Sequence, residues 1–260
     1  MRVQLLSDLH LETESFEPEP AEGAELLVLA GDIDSTWLAY ERFRGWPVPV
    51  VAVAGNHEFD GRELRRAWHS LRARLDRLGI DLIEREQRRL VARDGRRIRL
   101  LGSVRWSDFD AFGAEGRERA MRAATYYTRV MRATRDGATF DAAAVRDEAL
   151  ACRDWLDAAL RDAPSGVDAT LVVTHYAPSL RSADPRYGAQ PGSASFCNAD
   201  DALLPLADVW LHGHLHCRHD YLDRHARGCT RVVCNARGLA SRGEAAGHDP
   251  HCVIDVRRAD

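Results

Sequence analysis

Four short, near-continuous apolar runs constrain this chain more than any other feature: VQLLSD (3–8), ELLVLAGD (25–32), VPVVAVAGN (48–56) and ATLVVTH (169–175), with a shorter fifth, ADVWLHGH (207–214). They have strand length and lack the polar alternation of a half-solvated sheet. Runs of this kind suit strands covered on both faces, as in a layered α/β core. TRVVCN (230–235) and HCVIDV (251–256) read as further strands, and residues 89–103 as a hairpin turning at Asp94-Gly95.

Helical spacing lies between the runs. Leu64, Trp68, Leu71, Leu75 and Leu78 recur at 4-3-4-3, with Gly79 placed as a stop; Val145, Ala149, Cys152, Leu156 and Ala159 do the same before Pro164. A weaker, aromatic-bearing helical stretch covers roughly 116–133, and the acidic segment 12–25 reads as a surface loop. At 260 residues the chain can bury a large core. We expect one α/β domain over 1–260, with a mainly helical insertion at about 104–163.

Composition removes several classes of function. The apolar runs are too short to span a bilayer, and the N-terminus MRVQLLSDLH lacks the charge and apolar pattern of a signal peptide, so the expected location is cytoplasmic, with no membrane partner. The six cysteines include no CxxC pair, which fits free thiols in a reducing compartment. All 36 basic residues are Arg, so a P-loop and Schiff-base chemistry, both of which need lysine, are excluded. A net charge of −4 gives no general attraction to nucleic acid.

The apolar runs end in one kind of residue. The first ends in Asp8 and His10, the second in Asp32, the third in Asn56 and His57, the fourth in His175, and the fifth in His214 and His216. Ligands bind outside the carboxyl ends of strands in such sheets. Carboxylates and imidazoles without a thiolate suit divalent first-row metals. A D-x-H spacing on an extended segment would put Asp8 and His10 on one side. Glycines before Asp32, Asn56 and His214 permit sharp turns and close backbone approach. His212, before Gly213, is expected to point elsewhere.

These blocks, Asp8-Leu9-His10, Gly31-Asp32, Gly55-Asn56-His57-Glu58, His175 and Gly213-His214-Leu215-His216, closely resemble the pattern of the calcineurin-like metallophosphoesterases over about 3–216. The strings SDLHLE, THYAPS and TRVVCNARG resemble its compact bacterial members. The resemblance implies a four-layer α/β/β/α sandwich and two divalent transition-metal ions, with manganese preferred and iron, zinc or nickel as alternatives. It implies Asp8, His10, Asp32 and His216 on one metal, and Asp32, Asn56, His175 and His214 on the other, with Asp32 shared and a bridging hydroxide as the attacking group. It also implies His57 as the general acid, with Glu58 or a nearby acid orienting it. Arg181 and Arg237 are candidates for substrate phosphate, and Trp106, Asp108, Tyr126 and Tyr127 for lining a cleft.

A small phosphoester is the expected partner. A diester is favoured, a monoester cleaved at the same site is the alternative, and a non-catalytic scaffold is a weaker third reading. No long basic groove for a polynucleotide is evident. The RHD (218–220) and GHD (247–249) strings do not support an all-α HD-type phosphohydrolase, because neither falls on a helix pattern, and no G-x-S-x-G elbow supports a serine hydrolase.

Overall fold

The computed structural model describes residues 1–162 and 164–257. The first half builds β1 (Arg2–Leu6), β2 (Leu26–Ala30), β3 (Val50–Val53), α1 (Leu64–Leu78) and β4 (Ile80–Leu82). The chain continues through β5 (Glu86–Val91), β6 (Arg97–Ser103), α2 (Gly113–Ala123), the short pair β7 (Thr134–Arg135) and β8 (Ala138–Thr139), and α3 (Ala142–Arg161). It ends with β9 (Ala169–Thr174), β10 (Val209–His212), β11 (Arg218–His225), β12 (Gly228–Asn235) and β13 (Val253–Asp255).

The longer strands form two sheets, ordered β13-β1-β2-β3-β4 and β11-β12-β10-β9-β6-β5. Within each sheet the central strands are parallel, and antiparallel strands close three edges: β13 in the first, β11 and β5 in the second. The apolar runs are therefore central strands, and every residue of β2 and β3 is buried. The edge strands β5 and β11 alternate in exposure instead.

The sheets pack face to face. Val3, Leu5, Val28, Ala30, Val51 and Val53 of the first share one apolar layer with Ile98, Leu100, Leu171, Val173, Leu211 and Val233 of the second. The outer face of the first sheet, through Leu27, Leu29 and Ala52, packs with Leu71, Leu75 and Leu78 of α1. The outer face of the second, through Leu101, Val172 and Trp210, packs with Leu156 and Leu160 of α3. The result is the expected α/β/β/α order. Each such buried Val, Leu or Ile side chain contributes roughly 1.5–3 kcal/mol.

Both long helices start and stop on local signals. Glu63 caps α1 by accepting from Arg66 N at 2.9 Å, and Gly79 ends it at φ 77°. Asp141 caps α3 by accepting from Ala143 N and Ala144 N at 3.0 Å each. The stretch from 104 to 162 joins the parallel neighbours β6 and β9, a connection that requires a long crossover. It carries α2, a π-helical turn (Tyr127–Met131), the β7–β8 pair and α3, and residue 163, the expected far boundary of the insertion, lies outside the described residues. The β7–β8 pair has no strand-length run to announce it.

Arg105, at the start of this crossover, is fully buried with φ 50°. Its guanidinium donates to Asp200 at 2.7 and 2.9 Å and to Asp108 at 2.8 Å. Removing one member of such a buried group leaves uncompensated charge. Arg105→Ala should therefore lose about 3–5 kcal/mol of stability in denaturant unfolding. A shift below about 1 kcal/mol, the scale of a surface pair, would show that the network is not a structural anchor.

Candidate metal centre

Loops leaving β1, β2, β3, β9 and β10 meet, and they bring together every ligand-type residue singled out in the sequence. Three sets of donor atoms lie mutually within 4.8 Å: Asp8, His10 and His216; His10, Asp32 and His57; and Asp32, His175 and His214. Asn56 joins the third set, its Oδ1 lying 3.3 Å from His175 Nε2. Asp8, His10, Asp32, Asn56 and His175 are buried, whereas His57, His214 and His216 are half-buried. The cluster thus has a dry floor and a side open to solvent.

The backbone that delivers these groups differs from the extended D-x-H expected from the sequence. Asp8, His10, Asp32, His214 and His216 all have positive φ, between 47° and 71°. The left-handed conformation costs non-glycine residues roughly 1–3 kcal/mol each and persists only where the surroundings hold it. Here they do: Asp8 N donates to Gly31 O at 2.9 Å, and His214 N donates to both Asp8 carboxylate oxygens at 3.0 Å. Two glycines are needed for this closeness. A Cβ at Gly55 would lie 2.1 Å from Asp32 Oδ1, and one at Gly213 would lie 2.5 Å from Asp8 Oδ2.

The donor chemistry fits metal ions. Asp32 Oδ1 accepts from His57 N at 2.8 Å, while Oδ2 is buried and takes no donor in hydrogen-bond geometry, although His175 Nε2 lies 3.2 Å away. The Nε2 atoms of His10 and His216 face each other at 3.0 Å. Each imidazole is anchored by its other nitrogen: His10 Nδ1 to Glu12 at 3.3 Å, His216 Nδ1 to Glu244 at 2.7 Å, His175 Nδ1 to Ala30 O at 2.8 Å and His214 Nε2 to Ser195 O at 3.2 Å. One nitrogen of each ring is thereby left for the centre, the arrangement that outer partners impose on metal-binding histidines.

The electrostatics are those of a site that stabilises positive charge. Burial pushes Asp32 towards its neutral form, but His175 and His57 hold it well below the usual carboxylate range. Burial likewise opposes charge on the two imidazoles, yet Asp32 raises His175 to about 9, and Asp32 with Asp60 raises His57 to about 10. Desolvation of its ring and the neighbouring His175 push His214 well down.

Several neighbours escaped the sequence reading or were placed differently. Glu58 does not orient His57. Its carboxylate accepts from Asp32 N, Ile33 N and Gly55 N at 3.0, 2.9 and 2.6 Å, and from the Tyr40 hydroxyl at 3.0 Å. Asp60, one 3₁₀ turn after His57, holds His57 Nδ1 at 2.7 Å instead. Of the four crossover residues proposed to line a cleft, only Tyr126 reaches the site; its hydroxyl lies 2.9 Å from His57 Nε2 and accepts from Asn56 Nδ2 at 3.0 Å. Trp106 and Tyr127 are buried in the apolar core, and Asp108 pairs with Arg105. Arg181 is tied to Asp223 and lies over the Tyr221 ring, and Arg237 is tied to Glu14 at 2.8 Å. Both guanidiniums are already committed to carboxylates. Glu12 and Asp60 stand two and three residues from site histidines, a spacing signal; Glu244 follows β12 by nine residues and carries none.

A fold and site of this kind define a phosphoesterase of the metal-dependent α/β/β/α class. The family profile described as calcineurin-like phosphoesterase matches residues 1–218, and the chain belongs to that family. Among solved structures it is similar to the phosphopantetheinyl hydrolase PptH of Mycobacterium tuberculosis, at 18% identity and a TM-score of 0.66 over 92% of this chain and 90% of that one. It also matches the sulfate thiohydrolase SoxB of Thermus thermophilus, at 15% identity and a TM-score of 0.37 over 81% of this chain and 33% of that one. No curated protein matches by sequence. Among the described residues, no helix is long and apolar enough to cross a membrane.

His212 takes no part in the cluster. Buried behind it, His212 lies with Nδ1 3.1 Å from Gly213 O and Nε2 3.1 Å from Ser182 Oγ, a neutral tautomer with one donor and one acceptor, and burial pushes it down to about 3. The unfolded chain protonates this group near 6.5, so its effect on stability is absent above that pH. As pH falls below 6.5 the unfolded chain takes up a proton that buried His212 does not, so this residue increasingly disfavours the folded state. An NMR titration should find His212 still neutral at pH 4.5. Titration between 6 and 7 would contradict the buried, neutral assignment.

Proposed function

We propose that this protein hydrolyses phosphoric esters with two divalent cations, one held by Asp8, His10, Asp32 and His216 and the other by Asp32, Asn56, His175 and His214. One observation carries the reading: a buried carboxylate oxygen, Asp32 Oδ2, without a donor in hydrogen-bond geometry and 3.2 Å from His175 Nε2, stands among imidazole nitrogens whose opposite sides are all anchored. Held by these residues, a cation pair would supply a water of lowered pKa as nucleophile and would neutralise charge on the phosphate oxygens. Manganese is the preferred occupant, with iron, zinc or nickel as alternatives, since all accept this ligand set.

The chain's own residues then manage the leaving group. His57 donates a proton from Nε2 to the departing oxygen, with Asp60 holding the ring through Nδ1 at 2.7 Å. The Tyr126 oxygen lies 2.9 Å from Nε2, so this phenol stands beside the proton that His57 delivers. Burial and the nearby Asp60 and Asp32 keep the Tyr126 phenol protonated. Positioned general acids contribute about 10²–10⁴-fold.

A small diester is the favoured substrate class. PptH, by its name, hydrolyses a phosphopantetheinyl group, and a phosphate carried on a small organic chain suits this reading. The cytoplasm is the proposed compartment, supported by six free cysteines.

The test is steady-state hydrolysis of a bis-aryl phosphate against the matching mono-aryl phosphate, using protein stripped and reloaded with Mn²⁺. The expected outcome is a diester preference. A monoester preference would make the protein a phosphatase, and two bound metals without turnover of either ester would favour a scaffold. In the same assay His57→Ala should keep both metals and lose about 10²–10⁴ in kcat. Parallel loss of metal and activity would move His57 into the ligand set.

A further inference from the structure

We propose that Glu12 and Glu244 are positioning residues for one cation only, so that the position formed by Asp8, His10 and His216 binds its metal more tightly than the position formed by Asn56, His175 and His214. The inference rests on the two-cation reading above and goes beyond it by ranking the two positions and assigning the residues that rank them.

The outer partners of the four histidines are of two kinds. His10 and His216 lean on carboxylates, Glu12 at 3.3 Å and Glu244 at 2.7 Å. His175 and His214 lean on the backbone carbonyls of Ala30 and Ser195. A carboxylate accepting an imidazole N–H pushes electron density through the ring and makes the opposite nitrogen a better metal donor. A neutral carbonyl fixes the tautomer with a smaller effect. The direct donors add to the same bias, because an acidic side chain, Asp8, stands where the other position has the carboxamide Asn56.

Both carboxylates are built in. Glu12 Oε2 also accepts from Ser35 N at 3.1 Å, and Glu244 Oε2 from Leu239 N at 2.8 Å. Glu244 is 8% exposed at its side chain. The loop carrying it seats against His216 so closely that a Cβ on Gly238, at φ 66°, would lie 2.8 Å from both Glu244 and His216. Glu244 lies beyond residue 218, where the family match ends, so this chain completes its first metal position with a segment outside the matched region.

The experiment titrates chelator-stripped protein with Mn²⁺ alone, followed by calorimetry and metal analysis. The wild type should bind two equivalents in a tight and a weaker step. Glu12→Gln and Glu244→Gln keep an oxygen that accepts the imidazole N–H but remove the charge. Each should weaken the tight step about 10–100-fold and leave the weaker step unchanged. Asn56→Ala should abolish the weaker step and spare the tight one. Thermal unfolding in chelator confirms that each variant is folded, and the two Gln substitutions on separate loops check one another. Two equal steps in the wild type, or Gln variants that weaken neither step or both alike, would overturn the inference while leaving the two-cation reading intact. Fewer than two equivalents bound by the wild type would overturn that reading itself.

Discussion

The buried carboxylate of Glu58 is the interaction on which the site depends. It gathers the amide N–H groups of Asp32, Ile33 and Gly55 and the hydroxyl of Tyr40. The loops after β2 and β3 are thereby bound to one group, and that position sets Asp32, Asn56 and His57 relative to each other. A buried carboxylate is costly unless fully hydrogen-bonded, and four donors meet that requirement. With the floor fixed in this way, the second sheet brings His175, His214 and His216 across the shared apolar layer.

The same centre tolerates strain because it is over-determined. Five of its residues sit in left-handed backbone; hydrogen bonds between loops of different strands hold the backbone at Asp8, His10, Asp32 and His214, and Glu244 holds the His216 ring. His175 N donates to Val104 O and Gly213 N donates to His175 O, so the second sheet's two site loops are also joined directly. The result is a cup of donors cross-linked between loops, the kind of arrangement on which electrostatic preorganisation rests.

Much of this was legible in the sequence because it is written locally. The buried runs announced central strands, the leucine spacing and Gly79 announced α1, and a polar residue at each strand end announced the cluster. What escaped depends on contacts between distant segments. Glu244 reaches His216 across 28 residues, and Tyr126, expected only as a cleft residue, finds His57 as its partner across 69. The buried charge of Arg105 is balanced by Asp200, 95 residues away. Arg181 and Arg237 looked available because sequence gives charge but not partners, and the fold supplies Asp223 and Glu14 to each. The D-x-H block failed in a different way: the residues were right and the backbone was not, since strand geometry was extrapolated up to four residues beyond where β1 ends.

The Arg105 network has a consequence for the mouth of the site. Arg105 and Asp108 belong to the crossover that carries Tyr126 to His57, whereas Asp200 and Asn198 follow the turn that sets Ser195 and Phe196 against His214. Asn198 donates to Arg105 O and accepts from Asp108 N, both at 3.0 Å, and the Ser107 hydroxyl bonds Ala194 O. Two segments distant in sequence are therefore welded into one lip, and the aperture over the donors is framed as a single piece rather than by independent flaps.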